Sequence, residues 1–159
     1  MWAGSVVSVH LAGQVGAPTF PVGEVRAVAG AGLEGDRNFQ PAGHAPPQRE
    51  ITLIERETLQ ALARDHGIEL RPGEHRRNVV TAGVPLNELV GVEFRIGPVR
   101  VRGVGLCEPC KYLEDLTERP GLLRALVHRG GLAARILEGG AIRAGDPVAP
   151  APSPSRTPS

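Results

Sequence analysis

An alternation of hydrophobic and polar residues recurs along most of the chain and predicts a series of β-strands. In residues 5–12, every second residue from Val7 to Leu11 is apolar, which is the period of a half-buried strand. The clearest hairpin spans residues 92–104, where apolar residues alternate on both sides of a Gly-Pro turn at 97–98. Further strands are predicted at residues 24–29, 51–54, 77–81, 132–138 and 141–149.

Hydrophobic residues spaced three or four apart predict one clear helix, over residues 55–66. Leu59 and Leu62 lie on the same side of it, and Gly67 follows as a C-terminal stop. Residues 85–90 predict a single helical turn. Two more short helical segments are predicted, one where a loop enters a helix within residues 107–116 and one at residues 122–127.

Six or more strands with a few short helices predict a mainly β fold of the α+β class, a closed or partly closed β-barrel with helical additions. The helix between the strands at 51–54 and 77–81 does not by itself require a β-α-β unit, because strands and helices do not alternate regularly along the chain. The 21 glycines and 15 prolines favour many turns between short elements. Aromatic residues supply only 3% of the chain, so the core must consist of Val, Leu, Ile and Ala.

The 159 residues are enough for one domain with its own core, which we place at residues 1–149. Residues 150–159 form a tail rich in Pro and Ser, a composition typical of disorder.

The formal net charge of +1 is not the strong positive field that nucleic-acid binding requires. Residues 1–13 have neither a basic lead nor a sustained apolar run, and no stretch approaches the roughly 20 apolar residues needed to span a bilayer. We therefore expect a cytoplasmic protein that binds neither nucleic acid nor a membrane. Two cysteines are too few to staple a domain of this size, so we interpret them as thiols.

The only lysine among the 18 basic residues is Lys111. Pyridoxal phosphate enzymes need a lysine for the Schiff base, and this position would be the sole candidate. Binding of pyridoxal phosphate is therefore unlikely from the sequence.

The spacing of Cys107 and Cys110 allows several interpretations. Half of a zinc site, a thioredoxin-like redox pair and small buried thiols are three of them. A fourth is a reactive thiolate: Cys110 follows Pro109, so it is expected in the first turn of a helix, where the helix dipole and the nearby charge of Lys111 favour ionisation. Such a thiolate can bind a soft metal or carry sulfur as a persulfide.

Two further segments are candidate binding sites. Arg76, Arg77 and Asn78 precede a strand, and arginine with asparagine can hold a phosphate or the edge of a heterocycle, although charged residues at strand ends are usually only solvated. The glycine-rich segment ending at Asp36 and Arg37 could admit a ligand close to the backbone, but taken alone it is more typical of a tight turn.

Taken together, these segments resemble the MOSC family, named for the C-terminal domain of molybdenum-cofactor sulfurases, and in particular its short stand-alone bacterial members. The segments occur in the family's order and cover most of residues 5–148. They are GLEGDRNF (32–39), ITLIERE (51–57), RRNVVTAGVPLNELVG (76–91), LCEPCKYLE (106–114) and AIRAGDPV (141–148).

The resemblance implies a β-barrel that binds molybdenum cofactor, with Cys110 as the catalytic residue and metal ligand. Arg76 and Asn78 match the family's Arg-x-Asn, whose basic and amide groups hold the pterin and its phosphate. Asp36 and Arg37 match its Gly-Asp-Arg turn. These four residues, with Lys111 beside the cysteine, are the expected cofactor-binding set.

The resemblance further implies an oxidoreductase that reduces N-hydroxylated compounds. Nothing in the sequence suggests a flavin, haem or iron–sulfur site, so a separate electron-donor reductase would be its partner. The alternative is a carrier without turnover, which passes the cofactor or a persulfide to or from a sulfurtransferase or cofactor-maturation protein. Both hypotheses require the Cys110 sulfur to be reachable beside Arg76.

Overall fold

A computed structural model describes most of the strand-forming parts of the chain. The described residues are 2–13, 19–36, 39–40, 50–69, 76–107 and 131–151. The helical predictions within 108–116 and at 122–127, and the tail from residue 152 onward, lie outside them.

Eleven strands and two helical segments make up the described part. The strands are β1 (Gly4–Leu11), β2 (Phe20–Val22), β3 (Glu24–Val28), β4 (Gly32–Leu33), β5 (Ile51–Glu55), β6 (Val79–Ala82), β7 (Glu93–Ile96), β8 (Val99–Leu106), β9 (Leu132–Glu138), β10 (Gly140–Arg143) and β11 (Pro147–Pro150). The helix α1 spans Arg56–His66, and a short 3₁₀ helix spans Leu86–Leu89.

Seven of the strands close into a barrel, which confirms the predicted fold class. The main sheet has the order β11-β7-β8-β9-β5-β6-β1-β2, and a further pairing of β11 with β1 closes it. β2 extends the sheet outward from β1, and β10, β3 and β4 form a separate three-stranded sheet.

One continuous row of paired residues runs across six strands of the main sheet. It consists of Leu106, Leu132, Leu53, Val79, Val9 and Val22, in that order from β8 to β2. The four central members are completely buried, and the core is aliphatic apart from the buried Phe94, as the composition predicts. These six residues mark one level along the strands and form the reference row.

The predicted helix at residues 55–66 is confirmed as α1. Ala61 and Leu62 are its buried residues, and Gly67 ends it in the left-handed conformation, with φ 66°. The strands on either side of it, β5 and β6, pair in parallel, so this segment is a β-α-β crossover. Among the described helices, none is long and apolar enough to span a bilayer.

The single strand predicted at residues 141–149 is wrong, because the chain turns within it. The Gly145 amide donates to the carbonyl of Val6 on the neighbouring strand β1, and the Val6 amide donates to the carbonyl of Asp146. The Asp146 carboxylate accepts the amide of Arg143 at 2.9 Å. The turn sends β10 to the small sheet and β11 to the barrel. β2 and β4 were not predicted, since two or three residues are too few to show alternation.

Candidate functional site

Asn78 joins three parts of the barrel through its side chain. Its Oδ1 accepts hydrogen bonds from the backbone amide of Thr52 at 3.0 Å and from the Thr52 hydroxyl at 3.1 Å. Its Nδ2 donates to the carbonyl of His10 at 3.2 Å and to the carboxylate of Asp36 at 3.4 Å. The backbone of Asn78 also bonds to both strands, accepting the amide of His10 at 2.6 Å and donating to the carbonyl of Thr52 at 3.0 Å.

The partners fix which end of the Asn78 amide faces which strand. The amide of Thr52 can only donate, so oxygen must face β5, and the carbonyl of His10 can only accept, so nitrogen must face β1. Two acceptor positions and two donor hydrogens are then all used within the protein. The side chain of Asn78 is 7% exposed, so it is part of the barrel wall.

Asp36 is brought against Asn78, as the resemblance would require for a shared site. Its Oδ1 accepts the backbone amide of Ala12 at 2.8 Å, just beyond the end of β1, as well as the Asn78 amide. The side chain is 8% exposed. Arg37, which follows it, lies outside the described residues.

Arg76 and Arg77 are half-buried and lead into Asn78 and β6. Arg76 has φ 61°, and within the described part of the chain no other residue except glycine has a positive φ. The backbone of a residue with a Cβ is strained in this left-handed conformation. Such strain persists only where the surroundings enforce it, commonly at functional sites.

Cys107 follows directly after β8 and is half-buried. Its backbone amide donates to the carbonyl of Gly131 at 2.8 Å, at the start of β9. Cys107 therefore holds the end of β8 against β9, and Cys110 lies three residues further along. Both Cys110 and Lys111 fall outside the described residues, so their predicted roles stay predictions.

The register relates the two halves of the expected site. β8 and β6 run in the same direction and are separated by β9 and β5. Relative to the reference row, Cys107 lies one residue beyond Leu106, whereas Asn78 lies one residue before Val79. The structure thus brings Asp36 against Asn78, which the arginine pair precedes in the chain, and places Cys107 on the other side of the row.

Two buried ionisable residues, His10 and Glu50, were missed by the sequence analysis. His10 on β1 is 4% exposed, its Nε2 lies 2.8 Å from the Ser8 hydroxyl, and burial lowers the pKa of the imidazole. Glu50, directly before β5, is 2% exposed, and its Oε1 accepts the amides of Gly30 at 3.1 Å and Ile136 at 3.0 Å. The alternation of β1 signals His10 only as a polar residue in a strand, and no motif marks Glu50.

An open cleft of about 520 Å³ lies between α1 and the 3₁₀ helix. Glu55, Glu57 and Glu88 line it together with neutral polar residues and Arg64. The cleft contains neither Asp36 nor Asn78, which form a separate cluster. Within the described ranges, no three His, Cys, Asp or Glu side chains are grouped so that they could hold a metal ion.

The protein is a closed β-barrel that carries an Arg-x-Asn segment, residues 76–78, directly before β6. The family model described as MOSC domain matches residues 40–149, and the chain belongs to the MOSC domain family. Arg76, Asn78 and Cys110 lie inside the matched region, whereas Asp36 precedes it. No curated protein matches the chain in sequence.

Solved structures of low sequence identity share the fold. The YuaD protein from Bacillus subtilis superposes with a TM-score of 0.77 at 21% identity, over 93% of this chain and 97% of that one. YiiM from Geobacillus stearothermophilus gives 0.72 at 17% identity, over 94% and 75% of the two chains. YiiM from Escherichia coli gives 0.67 at 19% identity, over 97% and 71%.

Proposed function

We propose that this protein binds molybdenum cofactor and uses it to reduce N-hydroxylated compounds, with electrons from a separate reductase. Membership of the MOSC family supports the cofactor class. The observation that carries the proposal is the strained Arg76, held at the start of β6 beside the Asp36–Asn78 cluster. A costly, enforced backbone conformation is common at functional positions, and the guanidinium that Arg76 carries there suits an anionic ligand.

The described residues fit the anionic part of the cofactor. Arg76 and Arg77 are adjacent and half-buried, and guanidinium groups bind phosphate through paired hydrogen bonds. The metal would be held by the Cys110 thiolate, a soft ligand suited to molybdenum. When bound, the cofactor would supply the two-electron chemistry that cleaves the N–O bond.

The overall reaction would convert R–NHOH, two electrons and two protons into R–NH2 and water. The protein's share is to bind the cofactor, orient it and limit the access of water. Arg76 and Arg77 would neutralise the phosphate, and the strands carrying them would fix its position against the barrel. The reductase must deliver both electrons.

The decisive experiment compares wild-type protein with Cys110→Ala, both produced in a host that makes the cofactor. Molybdenum is measured by elemental mass spectrometry and the pterin by its fluorescence after oxidation. Reduction of an N-hydroxylated purine base is then followed with a supplied electron donor. We expect activity and bound molybdenum in the wild-type protein and loss of both in Cys110→Ala. Equal rates in the two proteins would refute the proposal, and Cys107→Ala is the matched control for losing a thiol nearby.

A second candidate function is sulfur or cofactor transfer without turnover. The half-buried position of Cys107 at the end of β8 favours it, because this second thiol lies only three residues before Cys110 in the sequence, and a pair of cysteines at that spacing suits relay of a persulfide. Intact-protein mass spectrometry after incubation with a sulfurtransferase would detect one added sulfur atom that disappears in Cys110→Ala. A wild-type protein that takes up no sulfur would eliminate persulfide transfer.

A further inference from the structure

We infer that Asn78 is a positioning residue, which acts on the cofactor through Arg76 and Arg77 and does not touch it. The inference rests on the proposed function and deepens it. It differs from the expectation that the Asn78 amide itself holds the pterin.

The Asn78 side chain already uses all its hydrogen-bonding groups within the protein. Oδ1 accepts two bonds from Thr52, and Nδ2 donates to His10 and Asp36. A ligand could gain a bond from this amide only by displacing one of these partners. Because the residue is 7% exposed, displacement would leave a buried polar group unsatisfied.

Arg76, two positions before Asn78, has an unusual backbone conformation. Arg76 has φ 61°, which a non-glycine residue retains only where its surroundings enforce it. The side-chain bonds of Asn78 to Thr52 on β5 and to His10 on β1 supply such a constraint, since they fix the chain where the arginine segment joins β6.

The Asp36 carboxylate accepts hydrogen bonds from the Asn78 side-chain amide and from the backbone amide of Ala12, so a negative charge lies directly against Asn78. A phosphate approaching Asn78 directly would meet that charge, whereas one held by the arginines would not need to. The network therefore favours a role for Asn78 in supporting the arginine segment over direct contact between Asn78 and the cofactor.

A double-mutant cycle between Asn78→Ala and Arg76→Ala tests the inference. The measured quantity is the first-order rate at which molybdenum leaves the purified protein during dialysis. We expect Asn78→Ala to raise this rate about tenfold in the wild-type background, the size typical of losing a supporting hydrogen-bond partner. In the Arg76→Ala background the same change should raise it by less than about twofold, since the route of action is already removed. An equal factor in both backgrounds would overturn the inference, because Asn78 would then act independently of Arg76.

Two threonines supply a milder variant and its matched control. Thr52→Val removes the hydroxyl that bonds Asn78, whereas Thr81→Val removes a hydroxyl that bonds the carbonyl of Ile54 between the same two strands. We expect faster molybdenum loss in Thr52→Val and an unchanged rate in Thr81→Val. Equal effects of the two substitutions would mean that only general sheet stability is involved, and would also overturn the inference.

A readout without cofactor separates this inference from the proposed function. Nitrogen-15 relaxation of the Nε–H groups of Arg76 and Arg77 reports their order in the metal-free protein. We expect greater mobility in Asn78→Ala and Thr52→Val than in Thr81→Val. A wild-type protein that retains no molybdenum would refute the proposed function alone, and unchanged arginine mobility would refute the positioning role alone.

Discussion

Several properties of this molecule depend on single polar residues that are buried in the barrel wall. His10 occupies a polar position in the alternation of β1 and is nevertheless buried. Its backbone forms both hydrogen bonds to Asn78 that join β1 to the segment before β6. Burial removes water from the imidazole, which disfavours the charged form and lowers its pKa from the ordinary value of 6.5. The folded state therefore prefers neutral His10.

This preference predicts a loss of stability in acid. Below pH 6.5 the unfolded chain binds a proton at His10 more readily than the folded protein does, so the free energy of unfolding falls as the pH drops from 6.5 through the lowered pKa. Above pH 6.5 both states are neutral at this residue and the effect vanishes. Urea unfolding of wild-type protein and His10→Gln between pH 5 and 8 measures it.

The difference between the two proteins should depend on pH only in the acidic part of that range. His66→Gln, at the exposed end of α1, is the matched control. A difference between wild-type and His10→Gln that stays constant with pH would contradict the assignment.

At the scale of elements, close approach between β8 and the 3₁₀ helix depends on a missing side chain. A Cβ on Gly103 would lie 2.0 Å from the carbonyl oxygen of Leu89, whereas a Cβ on Gly105 of the same strand would meet nothing within 4 Å. Gly103→Ala should therefore destabilise the protein by about 1–3 kcal/mol, as overpacking does. Gly105→Ala, the control, should change the unfolding free energy much less. Denaturant titration measures both, and similar losses in the two variants would be the contrary result.

Glu50 connects the small sheet to the barrel. One carboxylate oxygen accepts the amide of Gly30, in the turn before β4, and the amide of Ile136 on β9. Glu50→Gln keeps an oxygen for both donors and should cost little. Glu50→Ala leaves two amides without this acceptor and should cost about 2 kcal/mol or more.

Thermal and denaturant unfolding would compare these variants with Glu138→Ala, which removes an exposed carboxylate from the end of β9. Equal stability of Glu50→Ala and Glu138→Ala would rule out the connection.

The elements that sequence predicts well are those whose own pattern is long enough. α1 and the 92–104 hairpin show their periodicity over many residues, and both are confirmed. The parallel pairing of β5 with β6 leaves no local pattern, because it depends on where the chain returns after α1. For the same reason, the split of residues 141–149 is set by hydrogen bonds to the distant Val6.

The site divides in the same way. Residue type and order single out Arg76, Asn78 and Asp36 as candidates. The contact between Asn78 and Asp36 joins positions 42 residues apart, and the left-handed φ of Arg76 is imposed by its surroundings. Neither can be derived from residue spacing, so the sequence predicts the candidate residues but not that the Asn78 side chain has all its hydrogen-bonding groups occupied within the barrel wall.

At the scale of the whole molecule, closure of the barrel depends on four residues near the end of the chain. β11 pairs with β1 through Gly4 and Ser5 and with β7 through Phe94 to Ile96, and its Val148 is completely buried. A chain ending at Asp146 should lose cooperative unfolding, because both neighbouring strands would lose a partner and the core would open. A chain ending at Ala151 should unfold like the full protein. Scanning calorimetry distinguishes these outcomes, and a cooperative transition in the shorter chain would contradict the expectation.

The same closure has a consequence for biosynthesis. A ribosome releases β1 long before β11, so the nascent chain carries β1 and β7 with incompletely paired edges until residues 147–150 emerge. Unpaired edges favour pairing between neighbouring chains. Slow translation of the codons for residues 144–150 would lengthen that interval, and the yield of native protein should then depend on chaperones that shield strand edges.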